Sequence, residues 1–306
     1  MHRALSIAVP AASTDGLLAA LEPLGAVVSL SVSRGASVKP PGDVITAHVL
    51  NDGADEVLRQ VEALCPHFSV ATSEVSAILD PDAHDRVLSD VDEALWEEIA
   101  AGLRHQIHVT PNFLALMALG GVLASVGMVT GGTPQALAFV AASIISPGFE
   151  PIAKVALGLV LRQPVALKLG GRAVLAGYAV FVLTAGLTFL LLRWMGAATV
   201  GDFTGNAELV RLAEPTAAEV LFSAAGALAG AVIMSAYRRS VIAGALVALV
   251  LMPAAATVGM ALTLGRLDLA AEGLERFGLD ALLVVVLCSL VFWIKQVAVH
   301  RRKPLL

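Results

Sequence analysis

The sequence predicts a two-part protein: a small N-terminal α+β domain of ferredoxin-like βαββαβ order, then a membrane α-helical bundle of six spans. Three observations predict it. The 306 residues are 57% hydrophobic and 15% charged, with a mean hydropathy of +0.81, whereas about a quarter of a soluble chain is charged. The excess is uneven: residues 1–110 carry sixteen Asp/Glu against six Lys/Arg, and beyond Pro111 long apolar runs alternate with short charged loops. One of those runs, 134–161, is interrupted by Ser146-Pro147-Gly148-Phe149-Glu150-Pro151.

Taken in order, residues 3–9 read as a strand, and Ser13 caps a helix to about Leu24. Residues 26–33 and 43–50 alternate with period two and read as strands. Asp52 opens a helix carrying Val57, Leu58, Val61 and Leu64, and 68–79 reads as a bent fourth strand. The domain boundaries follow: 1–79 for the ferredoxin-like domain, 80–110 for an amphipathic linker helix and 111–306 for the membrane domain. Asp80-Pro81 is a helix-start signal. Val87, Leu88, Val91, Leu95, Ile99 and Leu103 form its apolar stripe. The start, Met1-His2-Arg3 then 4–12, loosely resembles a signal peptide, but the run is short and Pro10 interrupts a strand-like alternation.

Spanning hydrocarbon takes about 20 apolar residues, and six segments qualify: 111–130, 134–161 with its break, 172–195, 216–236, 240–264 and 279–299. Arg104, Arg162, Lys168, Arg172, Arg238, Arg239, Lys295, Arg301, Arg302 and Lys303 fall on one side. Arg193, Arg211, Arg266 and Arg276 fall on the other. The positive-inside rule then places both termini in the cytoplasm of a prokaryotic inner membrane. Six spans divide into three plus three of opposite orientation. The middle span of each half carries proline (Pro147 and Pro151; Pro253), followed by Gly158 and Gly259. Proline- or glycine-interrupted segments at matching positions point to a transporter site, although both residues are common in membrane helices. Gly226 and Gly230 form a close-packing motif.

The break concentrates the candidate site residues. Lipid cannot satisfy the backbone groups a break frees, and an ionisable residue at that depth marks function or a structural pair. Glu150 and Lys154, four apart, share a helical face: either they neutralise one another, or one meets a solute in a cavity. Ser143, Ser146 and Thr257 offer hydroxyl ligands, as does Ser235, unless each bonds to its own helix. The transport or binding candidates are therefore Ser143, Ser146, Pro147, Gly148, Glu150, Pro151, Lys154, Pro253 and Thr257; Glu219 reads as interfacial. Asp80, Asp82, His84 and Asp85 read as a solvated helix start. His105 and His108 read as a juxtamembrane collar, and Cys65 and Cys288 as packing residues, so no metal and no cofactor is expected.

The run 141–147 through Pro151 and then Gly158-Leu159, with the later run 244–253 through Val258-Gly259, resembles the two signatures of an uncharacterised prokaryotic membrane family, domain of unknown function 389. The resemblance extends over nearly the whole chain and implies a membrane protein with a cytoplasmic ligand-type domain. The family usually carries a small residue where Glu150 stands, and often a second proline at the position of Met252, which makes Glu150 a specialisation of this member.

Function is expected along one of two lines. The first is a transporter or channel-like protein for a small solute or ion, with a cytoplasmic domain that senses a ligand or fixes a homo-oligomer. The second is a non-transporting sensor whose domain binds a metabolite or nucleotide, although no phosphate loop is present. An acidic first domain argues against nucleic acid. No Cys-x-x-Cys, His-Glu-x-x-His or Gly-x-Ser-x-Gly occurs, and the spans lack histidine, so no enzyme is expected.

Overall fold

The computed structural model describes residues 2–236, 241–300, 302, 304 and 305, with 241–249 described as backbone. It divides into two units: residues 1–95 with 300–302, and 96–299 with 303–306.

The first unit has β1 (His2–Val9), α1 (Ala11–Leu21), β2 (Val27–Val38), β3 (Pro41–Val49), α2 (Ala54–Leu64) and β4 (Ser69–Val75). The sheet order is β2-β3-β1-β4, every neighbour antiparallel, so the βαββαβ order stands. Leu5, Ile7 and Val9 of β1 and Ile45, Ala47 and Val49 of β3 lie on one face. They form the core with Leu17, Leu21, Val57 and Val61, all fully buried. Period-two alternation makes this possible, because one strand face collects every apolar residue. Gly42 (φ +150°) brings the chain so close to β1 that a Cβ would stand 2.1 Å from the Val9 carbonyl oxygen. Two starts differ from expectation. α1 begins at Ala11 without a side-chain cap from Ser13, and α2 follows a single 3-10 turn, Asn51–Gly53.

The expected linker helix is broken. A short helix, α3 (His84–Leu88), is followed by non-helical residues 89–95, and α4 (Trp96–Ile107) begins the second unit. The cause is tertiary. The Asp90 carboxylate accepts from the Asn51 N–H (2.8 Å) and pairs with His2 Nδ1 (2.9 Å). Asn51 Nδ2 donates to the Val91 carbonyl (2.8 Å) and Arg3 Nη2 to the Glu93 carbonyl (2.9 Å). Those bonds hold the segment out of helix against its stripe. Leu95, Ile99 and Leu103 are buried, whereas Leu88 and Val91 are exposed.

The second unit continues with α5 (Pro111–Met128), α6 (Gly132–Ile145), α7 (Phe149–Val160), α8 (Pro164–Trp194), α9 (Val200–Thr204), α10 (Ala207–Ala213), α11 (Ala217–Ser235), α12 (Val241–Thr263) and α13 (Leu267–Ala298). Among the described residues α5, α8, α11 and α13 are long and apolar enough to cross a membrane, and α6 with α7, bent by 49° at the break, makes a fifth if the pair is one span rather than a re-entrant loop. α12 is a 23-residue helix with Pro253 inside it. Its first nine side chains, including Gly244 to Leu249 of the second signature, lie outside the described residues, as do Arg238, Arg239, Arg301 and Lys303 of the charge count.

Hydropathy alone clipped two helices. α8 begins at Pro164, so Lys168 and Arg172 are helical, and α13 begins at Leu267 rather than near residue 279. A hydropathy window stops at charges, but these charges sit in helix: Arg276 and Asp280 are one turn apart on α13 and neutralise each other. The loop expected at 193–215 holds α9 and α10. Asn206 caps α10, and its Nδ2 donates to the Met128 and Thr130 carbonyls (both 2.9 Å).

Candidate functional site at the broken helix

Backbone chemistry makes the break. Pro147 has no N–H to continue α6. Ser146 closes α6 in an extended conformation, and α7 restarts at Phe149 with Gly148 before it. Neighbouring helices take up the freed groups. Tyr178 of α8 donates its hydroxyl to the Gly148 carbonyl (3.2 Å, buried). Ser146 Oγ reaches the Leu116 carbonyl of α5 at 3.4 Å, a weak contact by its length. Glycines admit this geometry: a Cβ on Gly120 would fall 1.7 Å from Ser146 Oγ, and one on Gly230 would fall 2.7 Å from the Phe149 ring. The role of Gly230 is therefore to seat the residue after the break.

The nine predicted residues divide. Ser146, Gly148, Glu150, Pro151 and Lys154 cluster at or just after the break, with Pro147 half-buried between them. Ser143 and Thr257 are buried, but their hydroxyls donate to their own helices, to Val140 (2.8 Å) and Pro253 (2.9 Å). Ser235 does the same toward Val232 (3.0 Å). Pro253 and Thr257 approach α13, where a Cβ on Gly273 would meet the Ala254 carbonyl at 3.0 Å and Thr257 Cβ at 3.2 Å.

Of the two readings of Glu150 and Lys154, the ion pair is absent among the described residues. Lys154, 5% exposed, instead donates Nζ to the Ala100 carbonyl of α4 at 3.0 Å. Glu150 Oε2 is buried with no hydrogen-bond partner among the described residues. One turn separates the two, but α4 packs against α7 and supplies Lys154 with an acceptor, so Glu150 Oε2 is left over. Leaving a buried polar oxygen without a hydrogen bond costs about 1–3 kcal/mol.

Sequence reasoning missed a second polar cluster. Arg276 and Asp280, 5% and 2% exposed, form a buried ion pair (Nε to Oδ2, 2.7 Å). Arg276 Nη2 lies 3.5 Å from Ser223 Oγ of α11. Arg276 Nη1 and Asp280 Oδ1 have no hydrogen-bond partner among the described residues. The cluster adjoins the break through Phe277, whose ring meets Tyr178 at 4.5 Å between centroids. Its signal is legible as Arg and Asp at i and i+4, but hydropathy puts the first of the pair in a loop.

The other candidates lie apart from the break. Asp80 Oδ1 accepts from the N–H groups of Asp82 (2.9 Å) and Ala83 (3.2 Å), a turn ahead of α3. His105 and His108 are exposed. Glu219 caps α11 through the Thr216 N–H (2.8 Å). Cys65 and Cys288 are buried free thiols. No group of three or more His, Cys, Asp or Glu able to hold a metal occurs among the described residues.

No curated protein and no solved structure matches the chain. Residues 143–286, from Ser143 before the break to Val286 within α13, match the family model described as Domain of unknown function (DUF389); the matched stretch runs through the broken helix, α8, α11, α12 and the first part of α13, with the N-terminal unit outside it.

Proposed function

We propose that this protein is a transporter or channel-like protein for a small solute, whose path is lined by the broken α6–α7 segment and the proline-bearing α12. The observation that carries the reading is the Glu150 carboxylate oxygen, buried beside a helix break and without a hydrogen-bond partner among the described residues. Breaks of this kind stand at binding sites in transporters because interrupted helices supply free backbone groups where no lipid reaches. In this reading α12 is the sixth span, the six form two inverted halves, and both termini are cytoplasmic in a prokaryotic inner membrane. The N-terminal unit is a ferredoxin-like domain that senses a metabolite or holds a homo-oligomer together. The chain acts as no enzyme. Its separate core supports an accessory role, because a domain with its own core folds on its own terms.

The test is a thermal-shift screen of metabolites, nucleotides and ions on the purified full-length protein and on Glu150→Gln, with flux into vesicles measured for every hit. The expected hit stabilises the native protein, fails to stabilise Glu150→Gln, and crosses the vesicle membrane in the native protein alone. A hit that stabilises both proteins equally and is not transported overturns the reading and favours a sensor binding through its N-terminal domain.

A further inference from the structure

We infer that Arg276 and Asp280, beside Ser223, whose hydroxyl is spent on the Glu219 carbonyl of its own helix (3.1 Å), form a binding site for a small monocarboxylate that enters together with one proton. The inference rests on the solute-path reading and names its solute class. Three features of the cluster carry it. Arg276 spends Nε on Asp280 and holds Nη2 at a long 3.5 Å from Ser223, while Nη1 is unengaged among the described residues. The Nη1–Nη2 edge of a guanidinium is the fork that grips a carboxylate with two parallel bonds. Asp280 Oδ1 is likewise unengaged, on a side chain more than nine-tenths buried.

Charge balance then dictates the coupling. Arg276 and Asp280 sum to zero, so a bare anion would leave a net buried charge, which is strongly disfavoured. If Asp280 takes a proton from water as the anion arrives, the sum stays at zero. The protonated carboxyl lets go of Arg276 Nε and the guanidinium turns to the ligand. No covalent bond changes beyond that proton transfer, and one proton and one monoanion are bound together. A dianion would need a second proton acceptor, which the pair does not contain.

Other ionisable groups lie on the helices packed against α13. They are Glu150 and Lys154 on α7, Glu208 and Arg211 on α10, and Glu219 on α11; α12 carries none. α8, reached through Tyr178, carries Lys168, Arg172 and Arg193, and α13 itself carries Asp268, Glu272, Glu275 and Lys295. α4 meets α13 at Phe292, about three turns away. Several of these groups are already engaged. Lys154 bonds Ala100, Glu208 pairs with Arg211 at 3.6 Å, Glu219 caps its helix, and Asp268 pairs with Arg266.

The experiment is acetate and propionate binding to the full-length protein in lipid nanodiscs, by calorimetry between pH 5.5 and 7.5, with acetamide as the uncharged control. One proton taken per anion makes Kd rise about tenfold per pH unit above the titration of Asp280. Asp280→Asn is expected to flatten that slope while retaining acetate, and Arg276→Gln with Asp280→Asn, a neutral pair of native shape, to abolish binding. Glu150→Gln is expected to leave the slope unchanged. Absence of acetate and propionate binding, pH-independent affinity in the native protein, or binding that survives the double variant overturns the proposal. Those outcomes leave the role of Glu150 in the screen untouched. A slope lost in Glu150→Gln instead of Asp280→Asn moves the proton to the break and also overturns it.

Discussion

Asp280 is held by Arg276 in a setting where neither charge reaches water, so removing one partner is costlier than removing both. Arg276→Gln alone is expected to lower stability by about 3–5 kcal/mol, and the double variant with Asp280→Asn by clearly less, read as thermal unfolding of the detergent-purified protein. Asp43 belongs to the N-terminal unit. The Gly35 N–H (2.8 Å) and then the Thr14 hydroxyl (2.7 Å) favour its charged form, and Arg34 adds to this against burial. Its carboxyl is therefore held below its ordinary 3.8. A lowered value in the folded state means stability that is present above the unfolded value and is lost as pH falls through the folded one. Amide exchange in β1 and β3 is therefore expected to accelerate as pH drops below 3.8, and Asp43→Asn to exchange faster at neutral pH with a flatter acid limb. An acid limb identical in the two proteins would remove Asp43 from the account.

At the scale of elements, helices here are joined by close approach more than by large side chains. α8 and α12 cross at Gly186 and Gly259, where a Cβ on Gly259 would stand 2.0 Å from the Val182 carbonyl oxygen. A backbone atom cannot step aside as a side chain can. Gly259→Ala is expected to cost at least about 1–3 kcal/mol, whereas Gly171→Ala, with open space around it, is expected to be neutral; thermal unfolding of the two variants decides. The segment between α3 and α4 obeys the same priority of context over propensity. Its apolar spacing is helical, yet Asp90, Asn51, Arg3 and His2 hold it out of helix. Asp90→Ala is expected to raise amide exchange across residues 84–95 and to leave α4 protected; unchanged exchange there would show that other contacts hold the segment.

At the scale of the whole molecule, His300 and Arg302, which follow α13, belong to the N-terminal unit. Burial pushes the Asp55 carboxyl up, but His300 and Arg302 (Nε to Oδ1, 2.6 Å) outweigh it and hold it below the ordinary value. These two late residues are thus tied to α2 through Asp55. The count of spans is also a property of the whole. With Cys65 and Cys288 replaced, single cysteines at Gly131 and Gln163 are expected to label with an impermeant maleimide from opposite sides of an oriented membrane. Labelling from the same side would make the α6–α7 segment re-entrant and reduce the spans by one.

Composition and spacing by themselves determined the two-part architecture, the order of the N-terminal elements, the broken α6–α7 segment and the proline-bearing α12, because these follow from hydropathy, period and the missing proline N–H. Tertiary structure alone decided which charges pair. Glu150 and Lys154 share a face, yet α4 brings a carbonyl to Lys154 and Glu150 Oε2 has no hydrogen-bond partner among the described residues. Arg276 reads as a loop charge in the sequence, but α13 continues through it to Asp280, with Ser223 of α11 and the Tyr178–Phe277 contact placing the pair beside the break. Spacing along one helix sets which groups could meet, but a buried charge takes the partner that the neighbouring helices present, and those neighbours are distant in sequence.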